Sequence, residues 1–247
     1  LVFSPTDLVS YMQSPFASWM ARLCLEQPET KLLKDKPDAL LNYLAGKGLA
    51  HESDYLASLE QSTSNLVTIP DCLNNTDKMK ATLDAMQSGA DVIFQACLTS
   101  NEDSEYQFQG HADFLFKVSK PSSLGDYSYE PWDTKLSKQP KAYFIIQLCC
   151  YADLLNQVQG TLPDNIAIVL GTKEEVSYRT LDFWQYYLSQ KQAFLTQYSS
   201  LSKLRAANCW IGNMKNLHGR LLTNISLRFV KVPEFLSVTL KGLIVPI

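Results

Sequence analysis

The sequence predicts an α/β fold in which a central mixed sheet is flanked by helices. Three observations support this prediction. Apolar residues recur at helical spacing through roughly the first sixty residues, the middle of the chain changes to short strands, and helices return on either side of a further pair of strands. Helices around a strand meander, followed by a strand–helix–strand unit, are typical of a layered α/β domain.

The N-terminal part is predicted to be helical. Ser4 can cap a helix, Pro5 suits its first turn, and Asp7 is favoured by the helix dipole. Pro15 should end or bend this helix, and a second helix begins near it. Residues 27–38 contain two prolines and several charges and are predicted to form a loop, before a longer helix over 39–59.

Strands and helices alternate through the rest of the chain. The predicted strands are 66–69, 91–98, 106–118, 129–136, 165–170 and 177–181. The predicted helices are 77–88, which Gly89 closes, 142–158 and 182–204. A turn at 101–104 should join the second and third strands as a hairpin.

Composition describes a folded chain with a mildly acidic average. Of its 247 residues, 46% are hydrophobic and 19% are charged, so the chain can bury a sizeable core. The net charge of −3 excludes a globally basic nucleic-acid coat and leaves a local basic patch open. No apolar run approaches the ~20 residues that span a bilayer, and no signal peptide is recognisable. The six scattered cysteines lack a C-x-x-C spacing, which argues against a zinc ribbon and favours reduced thiols in the cytoplasm.

Charge is unevenly distributed along the chain. Residues 1–207 carry 17 basic and 24 acidic side chains, whereas residues 208–247 carry 5 basic and 1 acidic side chain. We therefore expect one domain over 1–207 and an atypical basic and apolar tail over 208–247, divergent or truncated. Because the sequence does not begin with Met, we also expect a fragment of a longer protein.

Four short segments carry residues suited to chemistry on phosphate esters. They are Gly48 to Glu52 on the early helix, Gly110 to Asp113 in one strand, Asp133-Thr134-Lys135 in the next, and Gln147 to Tyr151 on the following helix. Asp133 and Lys135 are two residues apart on a strand, so both side chains should leave the same face. Such a carboxylate can hold a divalent cation while the lysine orients or deprotonates water and offsets developing charge.

The neighbouring segments supply further candidates. Asp113 lies on the adjacent strand and can provide a second carboxylate; hard oxygen ligands of this kind suit Mg²⁺ or Mn²⁺. His51 can add a nitrogen ligand, which favours Mn²⁺. Gln147 and Tyr151 are four residues apart and share one face of their helix.

These four segments resemble the RecB-like branch of the PD-(D/E)XK nuclease superfamily. That pattern is a helical His, then G-x-x-D, then (D/E)-x-K, then Q-x-x-x-Y, and the sequence holds all four in this order. The resemblance runs from about Ser4 to about Leu204. Within this family, the sequence is most similar to bacterial putative nucleases that often continue into a helicase domain. It implies a restriction-endonuclease-like core and hydrolysis of DNA phosphodiester bonds in repair, recombination or defence.

The resemblance also implies a role for each site residue. The metal ligands would be the side chains of His51, Asp113 and Asp133 with the backbone carbonyl of Thr134, and Lys135 would be the catalytic lysine. The residues near the substrate or supporting the site would be Gln147, Tyr151 and Glu52, the last a group behind the ligands or an extra ligand. The DNA would be single-stranded or present ends, and a helicase domain or subunit is an expected partner.

An iron–sulfur cluster occurs in some relatives, built from one early and three late cysteines. Ser14 stands near the place of the early cysteine, and only Cys209 lies beyond the catalytic segments. Four thiolates are therefore not available in that arrangement, and we expect no cluster.

Simpler interpretations stay open for each feature. A strand Asp-x-Lys is commonly a solvated ion pair, His51 can be an ordinary helix-surface histidine, and Gln147 and Tyr151 can serve packing alone. The alternative function is therefore a catalytically silent DNA-binding or scaffold module of a larger helicase–nuclease protein.

Overall fold

The computed structural model describes residues 1–28, 30, 39–100 and 106–206, which form six helices and seven strands. The helices are α1 (Pro5–Gln13), α2 (Pro15–Glu26), α3 (Ala39–Ser62), α4 (Asn75–Gln87), α5 (Ala142–Gln159) and α6 (Thr180–Ala206). The strands are β1 (Val2–Phe3), β2 (Leu66–Thr68), β3 (Val92–Thr99), β4 (Gln107–Val118), β5 (Ser128–Lys135), β6 (Asn165–Leu170) and β7 (Glu175–Arg179). The predicted α/β class, with a central mixed sheet flanked by helices, is confirmed.

The sheet follows the order β2-β3-β4-β5-β6-β7, and β1 adds to β4 beside this path. The meander β3–β4–β5 and the pair β6–β7 are antiparallel, whereas β2–β3, β5–β6 and β1–β4 are parallel. The parallel β5–β6 pair needs a crossover, which α5 supplies. The candidate segments of β4 and β5 therefore lie in the middle of the sheet, where neighbours on both sides hold the backbone.

Helix starts follow the capping chemistry of the sequence. The Ser4 hydroxyl accepts a hydrogen bond from the Asp7 amide, and the Asp7 carboxylate accepts one from the Ser4 amide, which completes a capping box. Ser14 ends α1 and caps α2, with Pro15 in the first turn. Both starts agree with the prediction because capping depends on a few consecutive residues.

Boundaries differ where tertiary pairing decides them. β7 is Glu175–Arg179, two residues earlier than predicted, because its pairing with β6 runs from Glu175 opposite Val169 to Arg179 opposite Asn165. The two-residue strand β1 was not predicted, since so short a segment has no periodicity. The predicted turn at 101–104 and most of the predicted loop at 27–38 lie outside the described residues.

Helix α5 provides much of the core. Eleven of its residues are buried, and Cys149 and Cys150 are fully buried, as expected for small apolar side chains. No helix in the described part of the chain is long and apolar enough to cross a membrane.

Two compact units divide the chain, Leu1–Leu195 and Thr196–Ile247. The first holds the whole sheet, helices α1 to α5 and the greater part of α6. Of the second, the described part is the end of α6 up to Ala206. The predicted boundary between 207 and 208 stays a prediction.

Candidate active site

Asp133 and Lys135 form a close ion pair near the end of β5. The Lys135 Nζ lies 2.5 Å from Oδ2 of Asp133, so the two side chains leave the same face of the strand, as their spacing predicts. The Asp133 residue is only 2% exposed, whereas the Lys135 side chain keeps 21% of its surface accessible. The ion pair therefore consists of the buried Asp133 carboxylate and the partly accessible Lys135 ammonium group.

Asp113 joins this pair from β4. The β4–β5 register pairs Phe114 with Trp132, so one further step places Asp113 opposite Asp133. Oδ2 of Asp113 accepts hydrogen bonds from the Thr134 amide (2.9 Å) and the Thr134 hydroxyl (3.1 Å). A side chain of β4 thus bonds the backbone of β5, and this contact fixes the carboxylate beside Asp133.

Electrostatics in this cluster are unfavourable for two ionised carboxylates. Burial raises the pKa of Asp133 well above its ordinary value, the neighbouring Asp113 raises it further, and Lys135 opposes both. Oδ2 of Asp133 is buried, and no described group gives it a hydrogen bond of regular geometry besides the ion pair with Lys135. One lysine therefore accompanies two adjacent carboxylates, and the cluster carries surplus negative charge whenever both carboxylates are ionised.

Glu52 adds a third carboxylate from helix α3. Burial raises the pKa of Glu52 to about 6, the charge of Asp113 contributes in the same direction, and Lys135 lowers it. The Gln95 side-chain amide donates a short hydrogen bond to Oε1 of Glu52. Glu52 is thus electrostatically part of the cluster, in agreement with a supporting position.

His51 is placed differently. Its Nε2 lies 3.4 Å from the carbonyl oxygen of Val169 on β6. Among the described residues, no group of three or more His, Cys, Asp or Glu side chains is arranged to hold a metal ion. The role of His51 as a metal ligand, like that of the Thr134 carbonyl, stays a prediction.

The family resemblance implies a divalent cation at this cluster. The Asp113–Asp133 pair fits: both ligands are hard oxygens, one of them buried without a regular hydrogen bond, and their mutual repulsion is what a cation relieves. These two carboxylates would hold Mg²⁺ or Mn²⁺ together with water.

Gln147 and Tyr151 lie on α5, which packs against the strands that carry Asp113 and Asp133. The Tyr151 hydroxyl donates a 2.6 Å hydrogen bond to the His111 carbonyl, and Gln147 lies one helical turn before Tyr151. Tyr151 is 5% exposed, and burial together with the charge of Asp133 raises its pKa. This burial favours the supporting role over substrate contact for Tyr151.

The glycine of the Gly110–Asp113 segment has a packing reason. A Cβ at Gly110 would lie 2.6 Å from Cδ of Pro5 and 3.0 Å from Cε1 of Tyr151. Absence of a side chain therefore lets α1 and α5 approach β4, which brings the Tyr151 hydroxyl to the His111 carbonyl.

Gln95 is the site residue that sequence analysis missed. It interrupts the apolar strand β3 with an amide, and this interruption is the signal that could have drawn attention to it. A polar side chain flanked by three apolar residues on each side is unusual in a strand within a sheet.

The chain matches no protein-family model and no curated protein sequence. The functional interpretation therefore depends on the four segments and on the geometry of Asp113, Asp133 and Lys135.

Proposed function

We propose that this protein is a divalent-metal-dependent deoxyribonuclease that hydrolyses phosphodiester bonds. The observation that carries the proposal is the Asp133–Lys135 ion pair at 2.5 Å with the Asp113 carboxylate beside it. A structural ion pair needs one carboxylate for each lysine, whereas a cation site needs surplus negative charge. The RecB-like order of the four segments supports the same conclusion.

Each residue has a role that its surroundings allow. Asp113 and Asp133 would hold the cation, which when bound polarises a phosphate oxygen and lowers the pKa of water. The Lys135 ammonium, partly accessible beside Asp133, would orient the attacking water and offset the charge that develops on the phosphate. Thr134 keeps Asp113 in place through two hydrogen bonds.

Basic and aromatic side chains next to the site support a nucleic-acid substrate. Lys135 and Lys141 both lie over the ring of Phe144, at 5.4 and 5.8 Å from its centroid, and Lys141 also lies over Tyr143. With the exposed Lys138, these lysines offer phosphate contacts despite the negative net charge. We propose single-stranded DNA or DNA ends as substrate, a helicase domain or subunit as partner, and the cytoplasm as compartment.

The test is cleavage by the purified chain. With Mn²⁺ or Mg²⁺ it should degrade labelled single-stranded DNA, and EDTA should stop the reaction. Lys135→Ala and Asp133→Ala should abolish cleavage, while the matched control Lys80→Ala, an exposed lysine of α4, should retain it. Wild-type cleavage that persists in EDTA would overturn the proposal, and cleavage of RNA alone would reassign the substrate.

A catalytically silent DNA-binding module is the second candidate. The observation in its favour is that no three-ligand group exists among the described residues and that His51 lies against the Val169 carbonyl. Calorimetric titration with Mn²⁺ separates the two: binding that Asp133→Ala removes supports the nuclease, and DNA binding without any such metal binding supports the silent module.

A further inference from the structure

Strand β3 has an unusual backbone at Gln95. Two described residues other than glycine have positive φ: Lys173 at 66° and Gln95 at 57°. Lys173 lies in the turn between β6 and β7, where its amide bonds the Leu170 carbonyl, and a left-handed residue is expected there. Gln95 lies in the middle of a strand, and glutamine has no intrinsic preference for this conformation.

The break occurs opposite a site residue. The β3–β4 ladder pairs Phe94 with Phe114 and Ala96 with Ala112, so Gln95 stands opposite Asp113. These two strands are described throughout, and this position alone is skipped between Val92 and Thr99. Regular pairing on both sides shows that the strand resumes its register, so the left-handed residue serves a local purpose.

The Gln95 side chain hydrogen-bonds to helix α3. Its amide donates to Oε1 of Glu52, which belongs to a helix 43 positions earlier in the chain. Because Gln95 stands opposite Asp113 in the β3–β4 ladder, its hydrogen bond places Glu52 at this same position of the sheet. Glu52 is half-buried, and a carboxylate withdrawn in part from water near another carboxylate is stabilised by a hydrogen-bond donor, which Gln95 supplies.

We propose that Gln95 is a positioning residue, whose left-handed backbone directs its amide to Glu52 and holds this carboxylate beside Asp113. The inference rests on the proposed nuclease function, since a third acidic side chain there strengthens a cation site. Glu52 then acts behind the Asp113–Asp133 pair, as hydrogen-bonded groups around metal ligands generally do.

The experiment separates positioning from folding. Gln95→Gly relaxes the backbone but removes the amide, and Gln95→Asn tolerates the left-handed conformation but is one methylene shorter. Both variants should melt at or above the wild-type temperature, bind Mn²⁺ about tenfold more weakly by calorimetry, and lose kcat to a similar degree. Glu52→Gln should match them, and Gln95→Gly combined with Glu52→Gln should lose no more than either alone.

A second glutamine of the sheet provides the matched control. Gln109→Asn changes a β4 glutamine that bonds Asn75 outside the cluster and should leave Mn²⁺ affinity unchanged. Gln95→Gly with wild-type Mn²⁺ affinity and kcat, or with a lower melting temperature alone, would overturn the positioning role. Wild-type protein that binds Mn²⁺ without cleaving DNA overturns the nuclease while the binding data still judge Gln95; wild-type protein that does neither overturns both.

Discussion

Two regions of this molecule hold an aspartate–lysine ion pair away from full solvent exposure, and the charges and hydrogen-bond donors around the two pairs differ. In the site cluster, Lys135 contacts Asp133 at 2.5 Å. Between α5 and α6, Lys191 contacts Asp153 at 2.6 Å. The same carboxylate oxygen, Oδ2 of Asp153, also accepts a 2.7 Å hydrogen bond from the Tyr187 hydroxyl, so the α5–α6 pair is balanced in charge and supplied with two donors.

The site cluster has the opposite character. Burial and a second carboxylate beside it raise the pKa of Asp133, and among the described residues Lys135 is the ion-pair partner of its buried Oδ2. A balanced pair stabilises the fold, whereas an unbalanced cluster costs stability that a bound cation recovers. Surplus negative charge, rather than the presence of an ion pair, therefore distinguishes a candidate cation site from a structural contact.

The largest expected difference between the regions is in activity. Asp133→Asn should lower Mn²⁺-dependent DNA cleavage by about 10³-fold, because it removes a cation ligand worth several kcal/mol in the transition state. Its melting temperature should equal or exceed that of the wild type, since repulsion with Asp113 disappears. The Asp153→Asn protein should cleave DNA at the wild-type rate at temperatures below its melting point. Equal activity of the two variants would contradict the difference drawn between the two regions.

The effects of the two substitutions on the free energy of unfolding should follow the opposite order, with Asp153→Asn the more destabilising. Asp153→Asn leaves Lys191 without its counter-ion and should destabilise the fold by about 2 kcal/mol, less than the cost of breaking a fully buried pair because the Lys191 and Asp153 side chains keep 21% and 13% of their surface accessible. Chemical denaturation of wild type, Asp153→Asn and Asp133→Asn measures this. If Asp133→Asn proves the less stable of the two variants, the site cluster is structural.

Gly110 tests how closely the helices must approach the site. Gly110→Ala should destabilise the protein by about 2 kcal/mol, because its Cβ would overlap Pro5 and press on Tyr151. Gly46→Ala is the control: no described atom outside the helix's own backbone would lie within 4 Å of its Cβ on α3, so it should stabilise by about 0.5–1 kcal/mol. Equal melting temperatures for both variants would show that Tyr151 moves freely.

The smallest effect is a pH dependence. The pKa of Glu52 is raised from 4.5 to about 6, so the folded chain binds this proton more tightly than the unfolded chain. Stability from Glu52 is therefore complete below pH 4.5 and is lost as the pH rises through 6. In EDTA, Glu52→Gln should gain on the wild type by about 1 kcal/mol between these limits, after allowance for its partial exposure. A constant difference in melting temperature across this range would contradict the shift.

Much of this protein is determined by its sequence over short distances. Ser4, Pro5 and Asp7 start α1, Ser14 and Pro15 separate it from α2, and alternation of buried and less buried residues marks most of β4. The contact of Lys135 with Asp133 follows in the same way, because two residues on one strand share a face. Such features depend on neighbours within about one turn or one strand, so the sequence is sufficient to predict them.

The way in which distant segments of the chain meet depends on tertiary packing. Asp113 lies opposite Asp133 and Gln95 opposite Asp113 because of the β3–β4–β5 register, and Gly110 is a contact point only because α1 and α5 pack there. The left-handed conformation of Gln95 and its hydrogen bond to Glu52 carry no local signature beyond an amide in an apolar strand. The physical reason is that register and helix packing are set by the burial of the whole sheet, and so the surplus charge at Asp133 emerges only when the chain has folded.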